Sequence, residues 1–262
     1  MSAGDAIPQP IRELAEVPDR FTRLTPGHVD RVETGRFVVV RGGWWASVEG
    51  ISAEPDEVEE VVREVREVTA GRTATWRIGP SAAPPDLERR LRALGLHTPA
   101  NGVEELAALA TVSAPGAPPG DVRRVETLDD YRVAVGVRWD AFGKSEEQRA
   151  AERASLAETF EALQGSGAVI DFLAYVDGRP AATAASVVTE RGLLLVGGAT
   201  AVWARGRGLY RTLVRARWDE AVRLGTPALV VQANPSTSAP ILTRLGFVEA
   251  CRLRQLEDSE SA

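Results

Sequence analysis

Cysteine, lysine, methionine and histidine are nearly absent from this chain of 262 residues. Cys251 stands alone, which excludes an intrachain disulfide and any cysteine-based metal cluster. His28 and His97 lie far apart in unlike contexts. An isolated imidazole lacks the partners that ligation or catalysis needs, so both read as structural or surface residues, and no metal site is expected. Lys144 is the single lysine among 31 basic residues, a bias that fits GC-rich bacterial coding and is silent on activity. Positive charge is not in excess either: the formal net charge is -6, which offers no basic patch for nucleic acid. Mild acidity favours cationic or amine ligands, and it also simply keeps soluble proteins apart. The longest apolar stretch, around Leu193 to Ala204, falls short of the ~20 residues of a membrane span. The N-terminus is polar and acidic, without the apolar core of a secretory signal. A soluble cytoplasmic protein without a membrane partner is the expectation.

What is present is ordinary globular composition, 44% hydrophobic and 26% charged, with length for one large domain or two small ones. The clearest break is Ala114-Pro115-Gly116-Ala117-Pro118-Pro119-Gly120, too dense in proline and glycine to continue a helix or a central strand. It divides the chain into domains at 1–113 and 121–262, with 114–120 as linker.

The second domain opens on a short strand at Val122 to Val125 and a helix to about Phe142. Ser145 then caps a long helix running to about Leu163, which Gly165-Ser166-Gly167 ends. Three strand-like runs follow, Ala168 to Val176, Ala181 to Thr189 and Leu193 to Ala201, the first two joined by the hairpin turn Asp177-Gly178-Arg179-Pro180. Next comes a helix from Leu209 to Leu224. Its apolar side holds Tyr210, Leu213, Val214, Trp218, Ala221 and Val222, and its wet side Arg211, Arg215, Asp219 and Arg223. A buried strand at Ala228 to Val231, a helix from Ser238 to Leu245 and a last strand from Phe247 complete the order β-α-α-β-β-β-α-β-α-β. In the first domain Phe37 to Val40, Trp44 to Val48 and Ala74 to Ile78 read as strands, and Pro55 to Val68 and Pro85 to Leu94 as helices. Glu105 to Val112 reads as either. Thr75 to Ser81 with the helix ending Leu94-Gly95-Leu96 echoes Val230 to Ser236 with the helix ending Leu245-Gly246-Phe247, which suggests a duplication.

The chemistry concentrates at Arg205-Gly206-Arg207-Gly208-Leu209-Tyr210, between a strand and an amphipathic helix. Unpaired N–H groups at a helix N-terminus carry the positive end of its dipole and suit the clustered oxygens of a pyrophosphate. Glycines let the backbone approach those oxygens, and two arginines can add charge-assisted bonds. A dinucleotide fingerprint would need a third glycine where Arg211 stands, and a P-loop would need an absent Gly-Lys-Ser/Thr. Taken alone, the four residues serve equally well as a tight turn before a surface helix.

The region from about 121 to 257 resembles the GNAT (Gcn5-related N-acetyltransferase) superfamily. Its signature is Arg/Gln-x-x-Gly-x-Gly/Ala, which Arg205 and Gly208 match, while Tyr210 departs from the final Gly or Ala. Asn234-Pro235-Ser236 before the helix ending Leu245-Gly246-Phe247 matches a second element. The resemblance implies an α/β fold with a mixed, splayed sheet flanked by helices, preceded here by a smaller, degenerate GNAT-like domain. It implies acetyl-CoA as cosubstrate. The pyrophosphate would lie on the N–H groups of Gly206, Arg207, Gly208, Leu209 and Tyr210. The pantetheine amides would pair with backbone near Thr200, Ala201 and Val202, and Asn234 and Ser236 would flank the arm. One strand N–H would hold the developing oxyanion, and the acceptor amine would attack directly, with no covalent enzyme intermediate.

Two family features are missing. Leu242 stands where many relatives carry a tyrosine that protonates the leaving thiolate, and Leu193 to Thr200 holds no carboxylate to act as base. Tyr175 and Tyr210 are the replacement acids to consider. Glu190, Asp171 and Glu249 are the candidate bases, each with a solvated surface carboxylate as its competing reading. Trp139 and Phe142 fall where the family often forms an acceptor pocket, or else they are core. Trp44-Trp45 line an interdomain acceptor site or pack a small core. The expected function is transfer of acetyl to a primary amine on a small molecule or peptide. The rivals are an acetyl-CoA sensor without turnover and a fold that has lost the cofactor. Family members commonly have two strands where one follows Phe247 here, so the first domain or another subunit of a homodimer is expected to cover that edge.

Overall fold

The structure, a computed structural model, describes residues 7–259. Its strands form one eleven-stranded sheet in the order β1-β2-β3-β4-β11-β5-β10-β9-β8-β7-β6. The first half contributes α1 (Gln9–Glu16), β1 (Asp30–Glu33), β2 (Val38–Arg41), β3 (Trp45–Glu49), α2 (Val58–Thr69), β4 (Thr73–Ile78), α3 (Leu87–Ala93) and β5 (Glu105–Thr111). The second contributes β6 (Val122–Arg124), α4 (Leu128–Phe142), α5 (Glu146–Arg153), α6 (Leu156–Ser166), β7 (Val169–Val176), β8 (Arg179–Val188) and β9 (Leu193–Thr200). After these come α7 (Leu209–Arg223), β10 (Leu229–Ala233), α8 (Ser238–Arg244) and β11 (Val248–Asp258).

The same frame occurs twice. β3 and β4 run parallel, joined by α2, and β9 and β10 run parallel, joined by α7. Each frame then completes itself with a strand from the other half: β4 pairs antiparallel with β11, and β10 with β5. β5 and β11 pair with each other at the centre. The edge expected beside the last strand is therefore covered on both sides from within the chain. Glu105 to Val112, ambiguous in sequence, is this central strand; its Ala107, Ala108 and Ala110 are small enough to lie under helices on both faces.

Alternation sorts the side chains between faces. Leu229, Val231 and Ala233 of β10 join the core under α7, whereas Val230 meets Ile11 and Leu14 of α1 on the opposite face. A separate core beneath α2 and α3 holds Trp76 and takes in Leu256 from β11. Three local expectations change. The helix expected from Ser145 to Leu163 breaks at Ala154–Ser155. Ser145 does build a capping box with Gln148, but α5 buries nothing, and α6 turns so that Leu156 packs beneath α4. Val222, expected in the core, is 51% exposed, while Arg217 on the same helix is buried. α1 and β1 have no counterpart in the sequence reading.

Candidate functional site

β9 and β10 are in register only at Leu193↔Leu229 and Leu194↔Val230, and beyond that point they separate. On its other side β9 loses register with β8 between Thr183 and Ala185, a bulge that takes in Gly197 at φ 61° and Gly198. Tyr210 packs over this bulge so closely that a Cβ on Gly198 would lie 3.1 Å from its ring. A diglycine within a strand was the sequence signal for this feature, and it went unread. The parted strands leave backbone of β9 from Leu195 onward without a β10 partner, upstream of the 200–202 segment expected to meet the pantetheine.

At the end of β9 the chain makes a short 3-10 turn at Val202–Ala204 and reaches the glycine turn. Gly206 and Gly208 adopt φ of 79° and 78°, conformations that L-residues rarely take, with open space where a Cβ would stand. Gly208 caps α7 without any side-chain bond. Among the described residues, the N–H groups of residues 206 to 210 donate to no backbone carbonyl. Arg205 and Arg207 are exposed. Gly206, Gly208, Leu209 and Tyr210 of this row, with Arg205 beside them, line one cavity of about 580 Å³, closed on its far side by Ile241, Arg244 and Leu245 at α8, while Arg207 lies outside its lining.

Of the other predicted cofactor contacts, Thr200 lines this cavity. Ala201 cannot offer its N–H, which donates to Ala181 O at 2.9 Å, and Val202 projects into solvent. Asn234 lines a second cavity, but its Oδ1 accepts from Ser236 N at 2.8 Å, forming a local turn, and Ser236 is exposed.

That second cavity, of about 850 Å³, passes through the gap between β9 and β10. Gly197, Gly198, Tyr210 and Arg217 belong to one side, and Asp19, Ser47, Arg77 and Gln232 to the other. Tyr210 borders both cavities. Burial raises its phenol pKa against the opposing charge of Arg217, so it carries its proton at neutral pH. Arg217 is 1% exposed, with Nε donating to Leu213 O and Nη2 unpartnered, and burial lowers its pKa to about 10.

The remaining catalytic candidates lie elsewhere. Tyr175 borders a separate cavity beneath Arg123, whose guanidinium stacks 4.3 Å from the ring centre. Glu190 is exposed in the β8–β9 turn, and Glu249 pairs with Arg252 on the surface. Asp171 is buried against Arg138 at 2.9 Å; burial raises its pKa and Arg138 opposes the rise. Trp139 belongs to the core under α4, while Phe142 is 60% exposed, and both border a cavity of about 380 Å³ together with Trp44. Trp44 is 73% exposed, so packing a core does not account for it.

The polar side of the through-sheet cavity was not anticipated from sequence. Glu49 is fully buried, accepting from Asp19 N at 3.2 Å, Arg77 Nη1 at 3.1 Å and Gln232 Nε2 at 3.3 Å. Arg77 Nη1 also donates to Ser47 Oγ at 2.5 Å, and Asp19 Oδ2 is buried without a partner. Burial first, and the neighbouring Asp19 second, push Glu49 up to about 8; burial also raises Asp19, against the charge of Arg77, the Ser47 hydroxyl and the charge of Arg31.

No family model matches the chain, and no curated protein does. Solved structures do match. A GCN5-related N-acetyltransferase from Kribbella flavida superposes with a TM-score of 0.67 at 18% identity, over 95% of each chain. A tandem GNAT protein from the clavulanic acid biosynthesis pathway gives 0.58 at 18% identity, over 97% of this chain and 88% of its own. A putative GNAT-family acetyltransferase from Novosphingobium aromaticivorans gives 0.57 at 15% identity, over 94% of each. At these identities the likeness establishes the fold: this chain has the GNAT-type mixed α/β architecture with a splayed sheet.

Proposed function

We propose that the protein is an N-acetyltransferase that carries the acetyl group of acetyl-CoA directly to a primary amine, on a small molecule or a peptide. The observation that carries this reading is the row of five unpartnered amides at 206–210, four of whose residues line a cavity that shares Tyr210 with the one at the parted strands. A pyrophosphate matches that row in charge and hydrogen-bonding capacity. The extended pantetheine arm matches the unpaired edge of β9, where strand-like amide pairing is available. Tyr210, protonated and bordering both cavities, suits the role of acid toward the leaving thiolate.

We assign the cofactor to the second half, 121–262, and treat the first, 1–113, as a GNAT-like unit that has lost cofactor binding. Calorimetric titration with acetyl-CoA tests the first assignment: a saturable heat with a matching thermal shift is expected, and the absence of both would sink it. Thiol release across a panel of primary amines then separates enzyme from sensor. The sensor reading draws on two observations: β9 carries no carboxylate, and Leu242 is fully buried where relatives hold a tyrosine.

A further inference from the structure

The proposed acetyl transfer needs a group to take the proton of the attacking amine, and neither β9 nor β10 carries a carboxylate; among the described residues of the second half, Glu257 of β11 also borders the cavity between them. The cavity through the sheet brings another from the first half. Asp19 sits on the 3-10 turn Pro18–Arg20, Ser47 and Glu49 on β3, and Arg77 on β4, and Gln232 of β10 bridges to Glu49 across the boundary between the halves. Gln232 follows the alternation of Val230, so it lies on the α1 face, away from α7. An amine arriving on that face would meet the gap from the side opposite to Tyr210.

We infer that the Asp19–Glu49 pair is the proton acceptor for the acceptor amine, supplied by the first half to chemistry in the second. This rests on the acetyl-CoA reading above. Asp19 borders the cavity with one buried, unpartnered oxygen, and Glu49 behind it is joined to it through the Asp19 N–H. Arg77 and Arg31 are the cations facing the pair, while Ser47 and Gln232 are neutral. Burial raises both carboxyl groups and their mutual repulsion opposes ionising both, so Glu49, pushed up to about 8, holds the pair's proton at neutral pH and Asp19 offers the oxygen left to accept one. In the step proposed, R–NH₃⁺ gives a proton to the pair and becomes R–NH₂. Its nitrogen forms the N–C bond to the acetyl carbon as the C–S bond breaks. Tyr210 gives its proton to the thiolate and regains one as the second amine proton is released to solvent, giving R–NH–acetyl and free CoA thiol, and the pair returns its proton to solvent.

The test measures thiol release from acetyl-CoA with n-butylamine as acceptor, across neutral to alkaline pH, for the wild type, Asp19→Asn and Glu49→Gln. Acetyl-CoA affinity is measured in parallel. The expected result is a rate loss of roughly 100-fold in each variant, with the wild-type ionisation gone from the pH profile and affinity for acetyl-CoA unchanged. Variants that keep both rate and profile overturn the inference, as does a wild type that binds acetyl-CoA and never acetylates n-butylamine. Absence of acetyl-CoA binding in the wild type instead fails the reading beneath it, and this proposal with it. If a variant does not fold, carboxyl carbon NMR of the wild type decides. A glutamate titrating far above the usual carboxylate range and moving when n-butylamine is added supports the pair; only ordinary titrations overturn it.

Discussion

The turns that follow β3 and β9 occupy equivalent places in the two frames and are built in opposite ways. After β9, the N–H groups of 206 to 210 donate to no backbone carbonyl among the described residues, and arginines flank them. After β3, Ser52 N donates to Arg36 O, Ala53 N to Ala83 O and Glu54 N to Glu57 Oε2, and Glu57, Glu59 and Glu60 crowd the start of α2. Carboxylates at a helix N-terminus stabilise that helix through the same dipole that would otherwise hold an anion. One frame thus ties down the turn ahead of its helix and sets carboxylates at the helix start; the other leaves five consecutive amides without a backbone acceptor and sets arginines beside them. Equal topology does not imply equal chemistry; local hydrogen bonding decides.

The largest effects should come from the cores, where the halves depend on each other. Leu256→Ala empties a fully buried site in the first half's core with a residue of the last strand, and Leu242→Ala does the same in the second. Each is expected to cost about 2–5 kcal/mol. Thermal melts should show both lowering one shared transition, because β5 and β11 interlock the halves; two separate transitions would break the comparison. Next in size, Gly208→Val should weaken acetyl-CoA binding at least ~100-fold in calorimetry, since a branched residue at this φ distorts the amide row. Its counterpart Gly50→Val, also at positive φ and near Val17 and Arg20, should cost about 1–2 kcal/mol of stability and leave binding intact. Removing charge is milder. Arg205→Ala with Arg207→Ala should lower affinity roughly 10-fold and flatten its salt dependence, whereas Glu54→Ala with Glu57→Ala should leave affinity unchanged.

The last effect concerns pH. Glu49 is held at about 8 in the fold, above its ordinary carboxylate value, so the folded state binds more protons than the unfolded chain between the two values. Its contribution to stability is full below the unfolded value and falls as pH rises toward 8. Denaturant midpoints should therefore decline across that window in the wild type, and less steeply in Glu49→Gln.

Most of the frame was legible because its signals are local. The Pro/Gly segment, the Asp177-Gly178 hairpin, the Ser145 cap and the period of α7 each lie within a few residues. The glycine turn was legible for the same reason. What escaped depends on distant segments. The Asp19–Glu49–Arg77–Gln232 group joins four elements spread over more than 200 positions of the chain, and no spacing rule connects them. Arg217 falls on the helical face of Leu213 and Val214, yet composition alone puts arginine in solvent. The exchange of β5 and β11 was half legible: a missing neighbour was apparent, but not that the debt was mutual.

That exchange also governs how the molecule can be taken apart. Cutting the chain between residues 114 and 120 would sever the covalent path while both central strands stayed paired, so the two fragments should remain one particle and copurify. Expressing 121–262 alone would be a different matter. β10 would lose its antiparallel neighbour and present Leu229, Val230 and Val231 along a bare edge, a template for self-association. A nick is therefore expected to leave the particle intact where a truncation would not.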